Sequence, residues 1–267
     1  MSQDAESRIR ARAGYLVMII AALAAISSAL IYLSNDETFW SNWTINATAA
    51  GSVGAGVLLL SKKTIGIDRR VYVALVGGLF LWLAAELLWT YYELGLEIEM
   101  PYPSAADALW LVGYGPFIYY VYINYRLASS QIPERKLITI FLTTIIIITA
   151  IAIFLFPIFD SALAGGSNWI EIVVSISYPV LDAILLTLAI MTVINIRPDA
   201  GKYKFVSSLM ILVAMIAFVG ADSGFGYEAV TDIEQLQEHD QVWNSLYNLG
   251  YLSIAGALFW EYRSKQS

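Results

Sequence analysis

The chain has 267 residues, 58% of them hydrophobic and only 14% charged, with a mean hydropathy of +0.65 and a net charge of −7. A soluble domain of this length would carry more surface charge, so the bilayer is the expected solvent, and the acidic balance gives no footing for nucleic acid. The absence of cysteine excludes disulfides, thiolate catalysis and cysteine–metal sites, and a single histidine, His239, excludes the usual haem and zinc centres.

A spanning helix needs roughly 20 predominantly apolar residues. Eight stretches meet that need, at about 14–33, 43–61, 71–92, 105–125, 137–157, 169–195, 204–226 and 241–261. The expected fold is therefore an all-α, polytopic membrane domain of eight helices over residues 1–267. The first stretch is too long for a cleaved signal and lacks a well-placed A-x-A site, so it is expected to remain as a helix. The second (ATAAGSVGAGVLLL) is rich in small residues, but the charge pattern requires it. All 15 lysines and arginines fall in SRIRAR, SKKTIGIDRR, NYRLASSQIPERK, NIRPDAGKYK and EYRSKQS, and none in the alternate connections. The positive-inside rule then predicts cytoplasmic termini and four outer loops in a cell membrane. Loops 93–104 and 227–240 are the longest outer ones, and no soluble domain is expected.

Outer polar features follow in chain order. Asn42-Trp43-Thr44 and Asn46-Ala47-Thr48 are glycosylation sequons near an outer loop. In the third stretch Glu86, Trp89 and Glu93 share one helix face. Glu86 sits in the outer half and Asp182 near the midplane, at ~1.5 Å of rise per residue. The segment PYPSAADALWLVGY (101–114) begins the fourth stretch, with Pro101 and Pro103 suiting an extended lead-in. Ser104-x-x-Asp107 has the form of a capping box, which would explain it without any ligand. In the sixth stretch Tyr178-Pro179 precedes Asp182, and proline should kink the helix above that acid. Glu171 and Asp222 lie near outer ends, where hydration would suffice. Asp240 reads as a cap of the eighth helix, and His239 as solvated.

No lysine or arginine lies within a span, so these acids need protons, water, hydrogen bonds or a bound cation. The same absence removes a retinal Schiff base, and triad or multi-histidine hydrolases lack their histidines. Around the acids gather Trp89, Tyr91, Tyr92, Trp110, Tyr114, Tyr178, Tyr227, Trp243, Tyr247 and Tyr251. Interfacial enrichment explains most of them, but Tyr114 and Tyr251 lie deeper, with Trp110 and Tyr247 one turn above on the same faces. Aromatic faces beside uncompensated carboxylates suit an organic cation.

The chain also repeats itself. ALWLVGYGPFIYYVYINYR (108–126) aligns without a gap on SLYNLGYLSIAGALFWEYR (245–263), pairing Leu109 with Leu246, Trp110 with Tyr247, Gly113 with Gly250, Tyr114 with Tyr251 and Tyr125-Arg126 with Tyr262-Arg263. TYYE (90–93) and FGYE (225–228) occupy similar upstream places. Stretches one to four and five to eight are therefore expected to be parallel copies about an axis along the membrane normal.

The string Pro101, Tyr102, Pro103, Ser104, Ala106, Asp107, Trp110, Leu111, Gly113 and Tyr114 resembles the P-[FY]-P-S-x-A-D-x-x-[FWY]-L-x-G-Y pattern of certain multi-helix membrane sensory regions. Those regions precede diguanylate cyclase and histidine kinase output domains in bacteria and archaea. Tyr178-Pro179-x-x-Asp182 and Ala221-Asp222 are also similar. The resemblance implies an eight-helix input module, here expected to stand without its output domain, so that a protein partner would carry the signal.

The reading that results is a sensory-type ligand-binding protein or membrane subunit. Its cavity for a small cationic or amphiphilic ligand would use Glu86, Trp89, Asp107, Trp110, Tyr114, Tyr178, Asp182, Asp222, Trp243, Tyr247 and Tyr251, with no metal or cofactor and with lipids as its surroundings. A proton- or cation-coupled transporter is the rival, disfavoured by inner halves poor in ionisable groups. A lipid or isoprenoid enzyme is the third reading, but the motifs of the eight-helix lysoplasmalogenase-like proteins are absent.

Overall fold

A computed structural model describes residues 3–62, 67–98, 102–128, 169–196, 201–231 and 233–264. Seven helices fill this range: α1 (Gln3–Leu33), α2 (Glu37–Ser61), α3 (Ile67–Thr90), α4 (Ala105–Ala128), α5 (Trp169–Asn195), α6 (Gly201–Thr231) and α7 (Ile233–Ser264). The predicted stretch at 137–157 lies outside the described residues. Five helices are long and apolar enough to cross a membrane: α1, α2, α3, α5 and α6. The described residues are thus all-helical, and the five candidate spans make this a multi-pass membrane protein. Helices α4 and α7 miss that mark because tyrosines and asparagines lower their hydropathy, and Tyr114, Tyr120, Asn248 and Tyr251 spend that polarity inside the bundle.

Helix ends differ from the sequence reading where polar residues were taken for loops. Helix α2 starts six residues early because Asp36 caps it, Oδ1 accepting the Phe39 N–H at 3.0 Å. Helix α3 ends in a wider π turn at Tyr91–Gly95. The expected loop at 227–240 is almost wholly helical, since α6 runs to Thr231 and α7 restarts at Ile233. Asp240 therefore lies two turns inside α7 and caps nothing; its Oδ2 accepts from Asn244 Nδ2 at 2.5 Å. Helix α5 runs on through Pro179.

Two hairpins organise the bundle. Helix α3 packs along α4, and α6 along α7, with α2 against α7 and α5 against both α4 and α6. Helix α1 rests on the outside of α7 with Tyr15, Met18, Ile19 and Ile26 exposed. Water would penalise such apolar faces, whereas lipid does not. Leu75, Leu79, Phe117, Leu185, Met215, Ile254 and Leu258 form a dry layer at mid-bundle, each at most 2% exposed.

Within each hairpin a glycine admits an aromatic ring from the preceding helix. A Cβ at Gly113 would stand 2.4 Å from the Trp82 ring, and one at Gly250 would stand 2.7 Å from the Phe218 ring. Trp82 and Phe218 in turn meet edge to face at 5.2 Å, in the middle of the bundle.

Candidate functional site

Above the dry layer, between the starts of α2, α4, α5 and α7 and the ends of α3 and α6, lies a cavity of about 100 Å³. That space admits several waters or a small organic molecule. Five carboxylates line it (Glu86, Glu93, Asp107, Asp222 and Asp240), together with ten aromatic rings and, among the described residues, no lysine or arginine.

Glu86 and Asp222 are held in parallel ways. Glu86 Oε1 accepts from Tyr251 Oη at 2.6 Å and Trp110 Nε1 at 3.3 Å. Asp222 Oδ1 accepts from Tyr247 Oη at 2.6 Å, and its Oδ2 lies 2.9 Å from Tyr114 Oη. Each acid is thus approached by one aromatic donor from its own hairpin and one from the other. The shared helical register explains this. Trp110 and Tyr247 stand one turn above Tyr114 and Tyr251, so each helix offers two donors to one face.

Asp107 both caps its helix and lines the cavity. Its Oδ2 accepts the Ser104 N–H at 2.6 Å while Ser104 Oγ accepts the Ala106 N–H at 3.1 Å, which closes a capping arrangement at the start of α4. Its Oδ1 faces inward and accepts from Tyr178 Oη at 2.9 Å. Tyr102, next to the cis Tyr102–Pro103 bond, meets Ser175 Oγ at 2.7 Å. Burial, and then the charge of Asp107, raise the Tyr102 hydroxyl above its ordinary value and keep it protonated.

Nine of the eleven residues singled out in the sequence line the cavity: Glu86, Trp89, Asp107, Trp110, Tyr114, Tyr178, Asp222, Tyr247 and Tyr251. Two do not. Asp182, 2% exposed, sits behind the wall with Oδ1 at 2.7 Å from Tyr114 Oη. Trp243 turns away, its ring over Gly224 and its Nε1–H donating to Glu228 Oε2 at 2.9 Å. His239 Nδ1 lies 2.7 Å from the other oxygen of Glu228, so the histidine is paired as well as exposed.

Sequence reasoning missed Trp82, Phe218 and Phe225, which no motif singled out, and the polar face of α2. Asn42 and Asn46, four residues apart, read only as sequons. Asn42 Nδ2 instead donates to Glu93 Oε2 at 2.7 Å, and Asn46 Nδ2 to Thr90 Oγ1 at 2.6 Å. Asn42 is 6% exposed, so its amide is out of reach of a glycan in this fold. The i, i+4 spacing of two amides on a small-residue helix was the available signal.

The chain matches no protein-family model, no curated protein and no solved structure.

Proposed function

We propose that the protein is a membrane receptor of the sensory type, whose outward-facing cavity takes a small organic cation. One observation carries this reading: five carboxylates and ten aromatic rings line a single hollow, with no basic side chain among the described residues that line it. Buried negative charge without a cation is costly in a bilayer, and each cation–π contact with a bound guest contributes about 0.5–2 kcal/mol. The chain would cross the cell membrane eight times with both termini inside, the stretch at 137–157 supplying the remaining span. The cavity then lies on the side free of lysine and arginine, as the charge pattern requires. Two likenesses support an internal repeat, namely the Gly113–Trp82 and Gly250–Phe218 contacts and the crossed tyrosine–acid bonds. The motif at 101–114 supports kinship with the sensory regions that precede cyclase and kinase domains, and output would then pass to a protein partner.

Transport is the weaker reading. A second, inner hollow of about 20 Å³ is lined by Tyr120, Asn124, Thr192, Ser207 and Glu261. The dry layer that includes Phe117, Leu185, Met215 and Ile254 stands between the two, and cation flux across proteoliposomes would revive this alternative.

The test uses the full chain in lipid nanodiscs, titrated with tetramethylammonium, choline and the uncharged choline isostere 3,3-dimethylbutanol. Both cations should raise the melting temperature, by about 2.7 kcal/mol of stabilisation at a hundredfold excess over Kd. The neutral isostere should not. Glu86→Gln combined with Asp222→Asn should remove the shift. Equal stabilisation by the isostere, or none by either cation, refutes the cation-binding site.

A further inference from the structure

Behind the cavity wall the hydrogen bonds around Tyr114 do not add up. Tyr114 Oη lies 2.7 Å from Asp182 Oδ1 and 2.9 Å from Asp222 Oδ2, yet a phenol carries one hydrogen. Asp222 Oδ1 is already satisfied by the Tyr247 hydroxyl at 2.6 Å. Asp182 Oδ2 is buried with no hydrogen-bond partner. Two phenol hydrogens therefore serve at least three short oxygen–oxygen contacts. Two ionised carboxylates against one phenol would leave one contact as bare repulsion between oxygens.

We infer that Asp182 and Asp222 form a proton-binding site that holds one proton between them, relayed by Tyr114. In one form the Asp182 acid donates to Tyr114 Oη while Tyr114 donates to the Asp222 carboxylate. In the other form Asp222 is the acid and Asp182 the carboxylate. Interconversion moves two protons in concert: the O–H bond of one acid breaks as a new phenol O–H forms, and the old phenol O–H breaks as the other acid forms. Charge and proton count are unchanged. Asp222 lines the cavity and Asp182 does not, so the step switches the charge of the wall without exchange with bulk water. The titratable groups facing the pair are Tyr102 just before α4, Asp107 on α4, Tyr178 on α5, Glu86 on α3, and Tyr247 and Tyr251 on α7. None of these is basic. The site stands on the geometry of three side chains and is independent of what fills the cavity.

A sodium ion fits less well. Three of the four carboxylate oxygens already meet phenol oxygens at hydrogen-bonding distance. Sodium or another metal would need further oxygens to replace its hydration shell.

The experiment is infrared spectroscopy of the whole chain, carboxyl-13C-labelled at aspartate, in nanodiscs at about pH 8. Asp240, whose carboxyl is pushed up to about 7 outside the predicted spans, is then mostly ionised. An isotope-shifted carboxylic-acid C=O band equivalent to one group per chain is expected. Asp182→Asn with Asp222→Asn should abolish it. Tyr114→Phe should keep the band but move it up in frequency, since the acid loses its hydrogen-bond partner. Absence of the band in the unmutated protein overturns the proposal without any variant having to fold. A band that survives the double substitution, or that Tyr114→Phe leaves unmoved, overturns it as well.

Discussion

The α3–α4 and α6–α7 hairpins share two packing features. Each has a ring entering a glycine notch (Trp82 at Gly113, Phe218 at Gly250), and each has a deep tyrosine edge-on to that ring, at 5.3 Å for Trp82–Tyr114 and 5.2 Å for Phe218–Tyr251. Their helical neighbours differ. Helix α2, against α7, supplies hydroxyls: Thr48 Oγ1 donates to Asn248 Oδ1 at 2.8 Å, and Asn248 Nδ2 donates to Thr44 Oγ1 at 3.0 Å. Helix α5, against α4, supplies Tyr178 and the acid Asp182. Tyr251 consequently serves one carboxylate and Tyr114 touches two. What the hairpins share holds the bundle together, and what α5 alone adds is the excess negative charge on which the proposed chemistry depends.

Substitutions at the shared positions should destabilise the two hairpins by different amounts that follow from the contacts. The largest effect is expected at the central rings, where Trp82→Ala should cost about 3–5 kcal/mol of stability in nanodisc melting. Phe218→Ala should cost less, because the Trp82 indole also donates to Trp110 O at 3.0 Å. A double-mutant cycle on the pair should give about 0.5–1.5 kcal/mol of coupling. Equal losses and no coupling would mean that the rings do not join the hairpins.

The glycine notches come next. Gly113→Ala should destabilise by about 1–3 kcal/mol through overpacking, only partly offset by about 1 kcal/mol of gained helix propensity. Gly250→Ala should be milder, since the clash is with the far end of the Phe218 ring, which has no hydrogen bond to hold it. The polar seam on α2 supplies a comparable test: Asn248→Leu removes two interhelical hydrogen bonds, leaves Thr44 and Thr48 only their backbone acceptors Ser41 O and Ile45 O, and should cost about 1–3 kcal/mol. A melting point unmoved by Asn248→Leu would show that this seam is wet rather than sealed.

Much of this was legible in advance, and the failures have physical causes. Apolar length located the described helices, because burying backbone polar groups in lipid leaves few other solutions. The gapless match of 108–126 to 245–263 pointed to Tyr114 and Tyr251. Uncompensated acids within spans pointed to Glu86 and Asp222, since intramembrane charge is seldom placed without a partner. The polar residues 227–240 misled, since a helix can extend past the bilayer with its hydrogen bonds internally satisfied and needs no apolar pattern there. Asp182 was assigned to the cavity from its depth and Trp243 from its place among the aromatics near the acids; such arguments fix a position along a helix but not the direction in which the side chain turns. Trp82 and Phe218 gave no signal, because a large ring opposite a glycine is recognisable only once both helices are seen together.

The smallest effect concerns the outer ends of the two hairpins. Helix α4 starts sharply at the Ser104–Asp107 cap, whereas α7 begins well before the aligned position and carries Asp240 into the cavity. Burial, then the nearby charges of Glu93 and Glu37, push the Asp240 carboxyl up from 3.8 to about 7. The folded state therefore binds that proton more tightly than the unfolded chain does. Its contribution to stability is full below about pH 3.8, declines as pH rises, and is gone above about 7. Melting temperature across this window should fall less steeply in Asp240→Asn than in the unmutated chain. The difference should be small, because Asp240 is only partly shielded from water and its Asn244 partner can bond either side chain. Identical slopes would mean that water reaches Asp240 freely, and the outer turns of α7 would then match the α4 cap in being simply solvated.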